Sequence, residues 1–382
     1  MTTQRITAVV VVHGSPAETV GACLQSLLDS VNVDVHIVLV DNASPDGGAA
    51  CRPWRSHPAV TLVTSDHNDG FAAGVNQGLG RRRSGDLIWL LNDDATVLPN
   101  ALFLCASALS THPSAVAVAP RVMLANEPDL IDSIGIVVRP NGEAFNAFIG
   151  QRWNNQVANG DEVLGPCFGA AMFRPNAFAS SVCRNDNVGP TGVCPTGGVG
   201  PTGVCPTGGG TGGVGPNHSV GPIDERYRLY YEDVDWSLRA RRAGFTTVAA
   251  TDAVVFHQHA ASTRLLGEAK RYGLVQRNLL LCVAKNFSVG AAAGAWRGRL
   301  VVHAKGVITG PYRVERVRSI GWAVVGLTSA LAARSRRPAA SPDYDEAAVF
   351  TFARGQSPNF STKTYRADTS PTDTSPTEPT SQ

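Results

Sequence analysis

Two groups of acidic residues could take part in chemistry because of their type and spacing. Asn92-Asp93-Asp94 follows the apolar run at 87–91. Glu232-Asp233, with Asp235 close behind, follows a pair of tyrosines. Carboxylates at the end of a strand can hold a hard divalent cation that is shared with substrate phosphates. A carboxylate among aromatic side chains has a raised pKa, which suits a general base. For both groups a structural explanation stays open, as turn residues in the first and as complements of a helix dipole in the second.

A glycine-rich segment and a histidine pair add two weaker signals. Residues 68–78 have the sequence NDGFAAGVNQG, with three glycines and two asparagines around the start of a predicted helix. Glycines let a backbone approach a ligand closely, and a helix N-terminus favours anions. The segment matches neither GxGxxG nor a P-loop, so helix packing explains it equally well. His257 and His259 follow a strand-like run, where a single histidine is more often structural than a metal ligand.

The elements that must position these residues alternate between strands and helices. A β-branched run predicts a buried strand at 6–12, and largely apolar runs predict further strands at 35–40, 60–64 and 87–91. The intervening patterns predict helices at 15–30 and 70–82. This alternation is typical of an α/β fold with a doubly wound, mostly parallel sheet. Ligands of such sheets bind beyond the carboxyl ends of the strands. Asp41 and Asn92 end two of these strands, so we expect both at the ligand-binding edge.

The charge of the chain is uneven although its net charge is only +2. Residues 264–337 contain 14 Lys and Arg against two acidic residues, which gives this stretch a charge of +12 and the remainder −10. Such asymmetry indicates an anionic partner, either membrane headgroups or nucleic acid. No aromatic–basic platform or known binding motif accompanies the charge, so the sequence predicts no nucleic-acid partner.

The basic stretch also contains the longest apolar segment of the chain, at 320–333, which is too short to span a bilayer. Basic clusters flank it at 313–318 and 334–337, so we expect a helix in the membrane interface whose arginines reach anionic headgroups. A soluble helical subdomain packed on the rest of the chain is the alternative. Eight cysteines without paired spacing indicate reduced thiols, and no signal-peptide pattern precedes the first strand. We therefore expect a cytoplasmic protein that is peripheral on the inner face of the cytoplasmic membrane.

Two segments of low complexity interrupt or follow these elements. Residues 188–198 have the sequence VGPTGVCPTGG, and residues 199–209 repeat it letter for letter. The repeat has little to bury, so residues 188–217 are predicted to form a disordered insertion in a surface loop. The chain then divides into a catalytic domain at 1–265, a basic helical extension at 266–340 and a disordered, Ser/Thr/Pro-rich tail at 341–382.

In combination and in order, six motifs resemble the family-2 inverting glycosyltransferases with the GT-A fold. They are VDNASPDG (40–47), NDGFAAGVNQG (68–78), LLNDDATVLP (90–99), GAAMFRP (169–175), IDERYRLYYEDVDWSLRARRAG (223–244) and FHQHAAS (256–262). The resemblance covers residues 5–265 outside the insertion and is nearest to the rhamnosyltransferase-like branch of bacterial cell-wall and polysaccharide assembly. It implies the doubly wound, mostly parallel sheet of the nucleotide-diphospho-sugar transferases, with the helical basic region as a C-terminal extension.

The resemblance implies a role for each motif. Asp233 corresponds to the catalytic base, with Glu232 as its neighbour. Asp94 and His257 correspond to ligands of a Mg²⁺ or Mn²⁺ ion. The donor nucleotide is implied to contact Asp41, Asn68, Gly70, Phe71, Asn76 and Asp93, and the acceptor to contact Gly169 and Ala170.

The implied reaction moves a sugar from a nucleotide diphosphate donor to a hydroxyl of a saccharide or polyprenyl-linked acceptor, with dTDP-rhamnose as the expected donor. A cation neutralises the charge that develops on the diphosphate leaving group. One carboxylate deprotonates the acceptor on the opposite side of the anomeric carbon, so a single displacement inverts that centre. Asn92 replaces the leading acid of the metal motif, which weakens one metal contact. No QxxRW motif follows the base, which argues against a processive synthase.

Two other functions are compatible with parts of the sequence. A nucleotidyltransferase has a similar architecture but needs a basic, Gly-rich phosphate loop after the first strand, where residues 13–16 are HGSP. A dehydrogenase needs GxGxxG at the same place, and this pattern is absent. A non-catalytic protein that binds a nucleotide sugar is the non-enzyme alternative. The presence of both Asp94 and Asp233 disfavours it.

Overall fold

The structure is a computed structural model and describes residues 3–179, 219–258 and 267–356. The predicted insertion at 188–217, His259 and the part of the predicted tail from 357 onward lie outside these residues. The predictions for them therefore stay predictions.

The first four strands form the parallel core of a central sheet, as the sequence predicts. They are β1 (Gln4–Val12), β2 (Val33–Asp41), β3 (Val60–Thr64) and β4 (Leu87–Asn92), arranged in the order β4-β1-β2-β3. The helices α1 (Ala17–Leu28) and α2 (Phe71–Leu79) connect β1 to β2 and β3 to β4. A short 3-10 helix, Arg52–Ser56, lies between β2 and β3.

The other half of the sheet is mixed. β6 (Ala115–Leu124) pairs in parallel with β12 (Thr246–His257), and β11 (Ala170–Phe173) runs antiparallel between β4 and β6. Within the described ranges ten strands form this sheet, and its remaining members are β5 (Ala95–Val97), β7 (Glu127–Ser133) and β10 (Glu162–Val163). β8 (Ile136–Val138) and β9 (Ala144–Asn146) form a separate hairpin. The predicted α/β fold with a parallel core is confirmed.

Helices cover both faces of the sheet because the residues of its strands are apolar on both sides. On one face, Ile6 and Val10 of β1 pack with α1 and with α3 (Ala101–Thr111). On the other face, Val9 packs with α2 and with α4 (Glu232–Arg242), whose Trp236 is completely buried. Side chains alternate along a strand, so a continuous apolar run supplies both layers.

Three long helices form the helical C-terminal region. They are α5 (Glu268–Asn286), α6 (Val289–Thr309) and α7 (Arg313–Arg334). A β-carbon at Gly326 of α7 would lie 3.0 Å from the Leu281 side chain of α5, so these two helices are in close contact. Leu279 of α5 packs in one cluster with Val234 and Leu238 of α4. α5 is therefore built into the sheet domain, although the predicted boundary at 265 assigned it to the extension.

The chain after α7 folds back on these helices before the described residues end. α8 (Glu346–Thr351) carries the buried Val349, and the rings of Phe287 and Phe350 are 5.2 Å apart. The tail predicted to be disordered from 341 thus begins with a packed segment that extends to 356. In the described part of the chain, no helix combines the length and the apolarity needed to cross a membrane.

Candidate active site

The carboxyl ends of three parallel strands bring the predicted donor-binding residues to one edge. The register pairs Val12 of β1 with Asp41 of β2, and Val11 of β1 with Asn92 of β4. Asp41 and Asn92 therefore end at the same level on either side of β1. This is the edge at which ligands of open α/β sheets bind.

Asp41 lies in a closely fitted turn. Its Oδ1 accepts a hydrogen bond from the backbone N–H of Ser44 (2.9 Å), and its side chain is almost completely buried. Gly48 has a φ of +75°, and a β-carbon there would collide with the Asp41 carboxylate. The turn holds the carboxylate in one place at the strand end, as a residue that contacts a ligand requires.

The glycines of the 68–78 segment have two different functions. β-carbons at Gly74 and Gly78 would press on Val11 and Val9 of β1, so these glycines allow α2 to pack closely on the sheet. Gly70 has a φ of +96°, and a β-carbon there would lie 2.6 Å from the carbonyl oxygen of Arg228. Gly70 therefore lets the start of α2 approach the loop that precedes α4. The helix-packing explanation considered from the sequence therefore holds for Gly74 and Gly78.

Two asparagines of this segment shape the backbone around it. Asn68 Oδ1 accepts hydrogen bonds from the backbone N–H of Gly70 (2.9 Å) and from Asn42 Nδ2 (3.2 Å). Asn76 is engaged with the loop before α4, since its Nδ2 donates to the Ile223 carbonyl (2.9 Å) and its Oδ1 accepts from the Ile223 N–H (3.2 Å). Asn76 thus joins α2 to the loop before α4, and its predicted contact with the nucleotide stays a prediction.

Phe71, the other predicted donor contact on α2, is partly buried. It packs against the core cluster formed by β1, α2 and α4. Its backbone position at the start of α2 nevertheless leaves it next to Gly70, at the carboxyl edge of the sheet.

Asp94 and His257 meet at the same edge, as predicted, because of the pairing of β5 with β12. His257 pairs with Ala95, the residue after Asp94. The Oδ1 of Asp94 is 3.0 Å from His257 Nε2, and Asn92 Nδ2 is 3.2 Å from the same ring nitrogen. The sequence could not fix this contact because Asp94, in the turn between β4 and β5, and His257, at the end of β12, are far apart along the chain.

Asp132, at the end of β7, is a site residue that the sequence did not single out. Its Oδ2 is 2.6 Å from His257 Nδ1, and its side chain is buried. Burial lowers the pKa of His257, but the hydrogen bonds to Asp132 and Asp94 outweigh it and raise this pKa to about 10. A carboxylate on one ring nitrogen fixes the orientation of the other nitrogen. Asp132 thus aims His257 Nε2 at Asp94.

Asp93, the residue before Asp94, has a buried carboxylate with one oxygen that lacks a hydrogen bond among the described residues. Burial raises its pKa to about 7, against the opposing effect of the nearby Ser15 hydroxyl. Among the described residues its Oδ2 has no hydrogen-bond partner. A buried carboxylate in this state favours a further donor or cation at the strand end.

The two predicted acceptor-binding residues, Gly169 and Ala170, lie beside the end of β4. The Gly169 carbonyl accepts the backbone N–H of Asn92 (2.9 Å), and a β-carbon at Gly169 would lie 3.3 Å from Asn92 Nδ2. Ala170 begins β11 and its methyl group is buried in the sheet core. The Ala170 methyl group therefore packs in the core, and the prediction that this residue borders the acceptor pocket stays a prediction.

The predicted base lies at the start of α4. Asp233 accepts hydrogen bonds from the backbone N–H of Val234 (2.8 Å) and from the backbone of Phe168. Burial raises the pKa of Asp233 above the ordinary value for Asp. Burial and the neighbouring Asp233 charge raise the pKa of Glu232. Glu232 is buried and Asp233 is partly buried, and their raised pKa values make them candidates for an acid–base pair.

Asp235, the third acid of this segment, has a different role. It forms ion pairs with Arg239 (2.9 Å) and Lys285 (2.7 Å) and accepts a hydrogen bond from Asn286 (2.8 Å). Burial acts to raise the pKa of Asp235, but Lys285 and Arg239 hold it below the ordinary value. Asp235 is thus a permanently charged link between α4 and α5, separate from the acid–base pair.

The loop at 167–169 contacts residues of both acidic groups, Asn92 beside Asp94 and His257 on one side and Asp233 on the other. Gly169 contacts Asn92, while Phe168 donates its backbone N–H to Asp233. Burial raises the pKa of the Cys167 thiol, and the charges of Asp233 and Asp132 raise it further. The charges of Asp233 and Asp132 thus both act on the Cys167 thiol, so both carboxylates lie near this short segment.

Known proteins resemble this chain in sequence and in fold. Residues 7–178 match the model of Glycosyl transferase family 2. The N-acetylglucosaminyl-diphospho-decaprenol L-rhamnosyltransferase of Mycobacterium tuberculosis is 26% identical over 266 residues, which are 67% of this chain and 76% of that protein. The succinoglycan biosynthesis protein ExoO of Rhizobium meliloti is 35% identical over 97 residues, 25% of this chain and 27% of that protein.

The crystal structure of GalNAc-T7 with UDP, GalNAc and Mn²⁺ has the same fold at 10% identity. Its TM-score is 0.54, and the match covers 86% of this chain and 57% of that chain. The family match includes the edge formed by Asp41, Asp93 and Asp94, whereas Asp233 and His257 lie beyond it. Residues 7–178 therefore form a family-2 glycosyltransferase domain, and the chain is a glycosyltransferase with the GT-A fold.

Proposed function

We propose that this glycosyltransferase moves a sugar, with inversion, from a nucleotide diphosphate to a hydroxyl of a saccharide or polyprenyl-diphosphate-linked acceptor in cell-wall or polysaccharide synthesis. The observation that carries the proposal is the position of the 167–169 loop between Asp94–His257 and Glu232–Asp233. The mycobacterial relative, whose name states a rhamnosyl transfer to a diphospho-decaprenol acceptor, supports dTDP-rhamnose as the donor.

The residues at the edge fit a divalent cation that the donor completes. In the described residues no set of three or more His, Cys, Asp or Glu side chains is arranged to hold a metal, so a cage made by the protein alone is not expected. Asp94 Oδ1 and His257 Nε2, which contact each other at 3.0 Å, would hold the cation in place of the hydrogen bond between them. Mg²⁺ is held in this way, by one or two side chains together with substrate phosphates. The structure of GalNAc-T7, which contains UDP and Mn²⁺, supports a divalent cation of this kind.

Each group then has a defined part in the reaction. Asp41 and the turn at Asn68 and Gly70 bind the nucleotide at the carboxyl edge of the sheet. Asp94 and His257 would hold the cation, which would neutralise the negative charge that develops on the departing diphosphate. Asp233 takes the proton of the acceptor hydroxyl while that oxygen attacks the anomeric carbon. Because the bond to the diphosphate breaks as the new bond forms, the anomeric centre inverts.

The donor is tested by incubating the purified chain with a panel of sugar nucleotides in Mn²⁺ or Mg²⁺. We expect dTDP-rhamnose to bind, and dTDP to be released when an N-acetylglucosaminyl-diphospho-lipid is added. Release from UDP- or GDP-sugars alone would replace the proposed donor, and binding without any release would contradict transfer.

The Asp132–His257 contact gives a prediction that does not depend on turnover. Asp132→Asn keeps the shape of the side chain but weakens its hold on His257 Nδ1, so Mn²⁺ affinity in the presence of dTDP is expected to fall about 10–100-fold. Electron paramagnetic resonance of free Mn²⁺ measures this affinity. Asp129→Asn, on the same strand but in an exposed ion pair with Arg152, is the control. Equal Mn²⁺ affinity in both variants would show that Asp132 does not orient a metal ligand.

We also propose that α6 and α7 dock on an anionic membrane surface. Of the 14 large apolar side chains that are exposed in the described residues, 11 belong to these two helices. They are Val289, Leu300, Val301, Val302, Ile308, Val314, Val317, Trp322, Val324, Val325 and Leu331. Exposed basic residues occur among them, including Arg297, Lys305, Arg313 and Arg318. A surface that is both apolar and basic complements an anionic bilayer, where a lipid-linked acceptor would lie.

Vesicle binding by the full chain tests this surface. Each basic residue near an anionic surface contributes about 1 kcal/mol, so replacing Arg313 and Arg318 by Gln should weaken binding to phosphatidylglycerol vesicles roughly 30-fold. Trp322→Ser should weaken it further, and high salt should release the wild-type protein. Arg55→Gln, an exposed substitution in the sheet domain, is the control. Self-association of the wild-type chain, disrupted by Trp322→Ser without any vesicle binding, would show that a second copy covers the surface instead.

A further inference from the structure

The backbone that leads into α4 has an unusual conformation. Arg228 has φ 60° and ψ −55°, and the Leu229 N–H donates to the Tyr227 carbonyl at 2.7 Å. These values define a classic γ-turn, which is rare and strained. Tyr230 and Tyr231 follow with φ of 67° and 73°, in the left-handed region that favours glycine. Three non-glycine residues with positive φ thus lie within the four positions before Glu232.

A buried asparagine of α5 holds residues 228–231, here called the left-handed run, in place. The Nδ2 of Asn278 donates to the carbonyl oxygens of Tyr227 (2.9 Å), Leu229 (2.9 Å) and Tyr230 (2.8 Å). Asn278 is completely buried, and its Oδ1 accepts from Arg277 (2.7 Å). Carbonyls turned out of regular secondary structure need such partners when they are buried. Strained residues of this kind persist only where the surroundings enforce them.

The same run also touches the donor side of the cleft. The Ala72 N–H at the start of α2 donates to the Arg228 carbonyl (3.1 Å), and the Arg228 guanidinium donates to the Asn68 carbonyl (2.7 Å). Gly70 leaves no room for a side chain against the Arg228 backbone. The run therefore connects the donor turn, α5 and the two carboxylates at the start of α4.

We propose that Asn278 is a positioning residue of the transfer reaction. It fixes the left-handed run, and the run sets the direction in which Asp233 faces the acceptor. The inference rests on the proposed role of Asp233 as the base. Without the amide N–H groups of Asn278, the run can relax to right-handed backbone angles, which turns the start of α4 and displaces the Asp233 carboxylate. Asn278 lies behind the loop and makes no contact with the reacting groups.

The test compares variants of two buried asparagines on α5. Asn278→Asp keeps the shape but removes the N–H donors, and Asn278→Ala removes the side chain. Asn286→Ala is the matched control, since Asn286 donates to Asp235 and does not contact the left-handed run. A displacement near 1 Å can cost about 10²-fold in rate, so both Asn278 variants should lose roughly that factor in kcat with donor KM little changed. Asn286→Ala should keep kcat within a few-fold of the wild-type value, even if its melting temperature falls as much as that of the Asn278 variants.

A double variant separates positioning from general structural damage. If Asn278 acts through Asp233, adding Asn278→Ala to Asp233→Asn should cause almost no further loss of transfer. Losses that multiply, an unchanged kcat in both Asn278 variants, or a loss of dTDP binding that equals the loss of kcat would each overturn the inference. If Asp233→Asn alone leaves transfer intact, the proposed base fails instead, so the two failures are distinguishable. Asn278→Asp, which keeps the packing volume, carries the test if the alanine variant does not fold.

Discussion

Asp233→Asn is expected to lower transfer by roughly 10²–10⁴-fold, the usual contribution of a general base, while the donor still binds. The amide oxygen of Asn can still accept the hydrogen bond from the Val234 backbone N–H, and the side chain keeps its shape, so the local fold should persist. Only the capacity to take a proton is lost. Rates of nucleotide release with acceptor, compared with dTDP binding by calorimetry, measure the two effects separately.

The acid limb of the pH profile provides a second measure of the same residue. Burial raises the pKa of Asp233, so its charged form is lost at a higher pH than for an exposed Asp as the solution is acidified. The wild-type rate should therefore fall on acidification through that raised pKa, and the residual rate of Asp233→Asn should lack this fall. Glu232→Gln separates the two carboxylates of the pair. A larger loss in Glu232→Gln than in Asp233→Asn would assign the base to Glu232.

Asp94→Ala is expected to remove Mn²⁺ binding and to lower transfer by roughly 10²–10³-fold, since a cation at a leaving group supplies several kcal/mol of charge stabilisation. Excess EDTA should have a similar effect on the wild-type chain, and added Mn²⁺ should reverse it. Metal titration in the presence of dTDP, followed by the transfer rate at each metal concentration, measures both.

Asp129→Ala is the control for this loss, because Asp129 is exposed and lies outside the edge. Full transfer by the wild-type chain in excess EDTA would contradict a metal-dependent reaction. Normal Mn²⁺ affinity in Asp94→Ala would show that other residues bind the ion.

The parallel core and its edge could be predicted from the sequence because local pattern determines them. Largely apolar runs in β1, β2 and β4 specify strands buried on both faces, and Asp41 and Asn92 mark the ends of β2 and β4. The parallel arrangement then brings these ends together without further information. The same argument predicted that Asp94, two residues after the end of β4, lies at this edge.

Other parts of the site depend on contacts that no local pattern encodes. Asp132 is an ordinary acid near a strand end until β7 places it against His257, 125 residues further along the chain. Asn278 has no sequence signal, because its three carbonyl partners are exposed to it by the positive φ angles at Arg228 and Tyr230, which non-glycine residues rarely adopt. The burial of the Ala170 methyl group depends on the alternation of side chains along β11.

The basic C-terminal region was predicted as one extension, but its helices differ in role. α5 is bound to the sheet domain through Lys285 and Asn286, which pair with Asp235, and through Asn278. Only α6 and α7 expose the apolar and basic side chains proposed for membrane docking. A truncation after α5 would uncover Leu281 and its neighbours, so substitutions on the exposed faces test that proposal better than deletion.

The configuration of the product tests the central claim most directly. The full chain is incubated with dTDP-rhamnose, Mn²⁺ and an N-acetylglucosaminyl-diphospho-lipid, and the new glycosidic bond is analysed by nuclear magnetic resonance. A single displacement assisted by Asp233 predicts that the anomeric configuration is inverted relative to the donor, and that this product is almost absent with Asp233→Asn. A product that retains the donor configuration would contradict the account, because retention requires a second displacement for which Asp233 has no role as base.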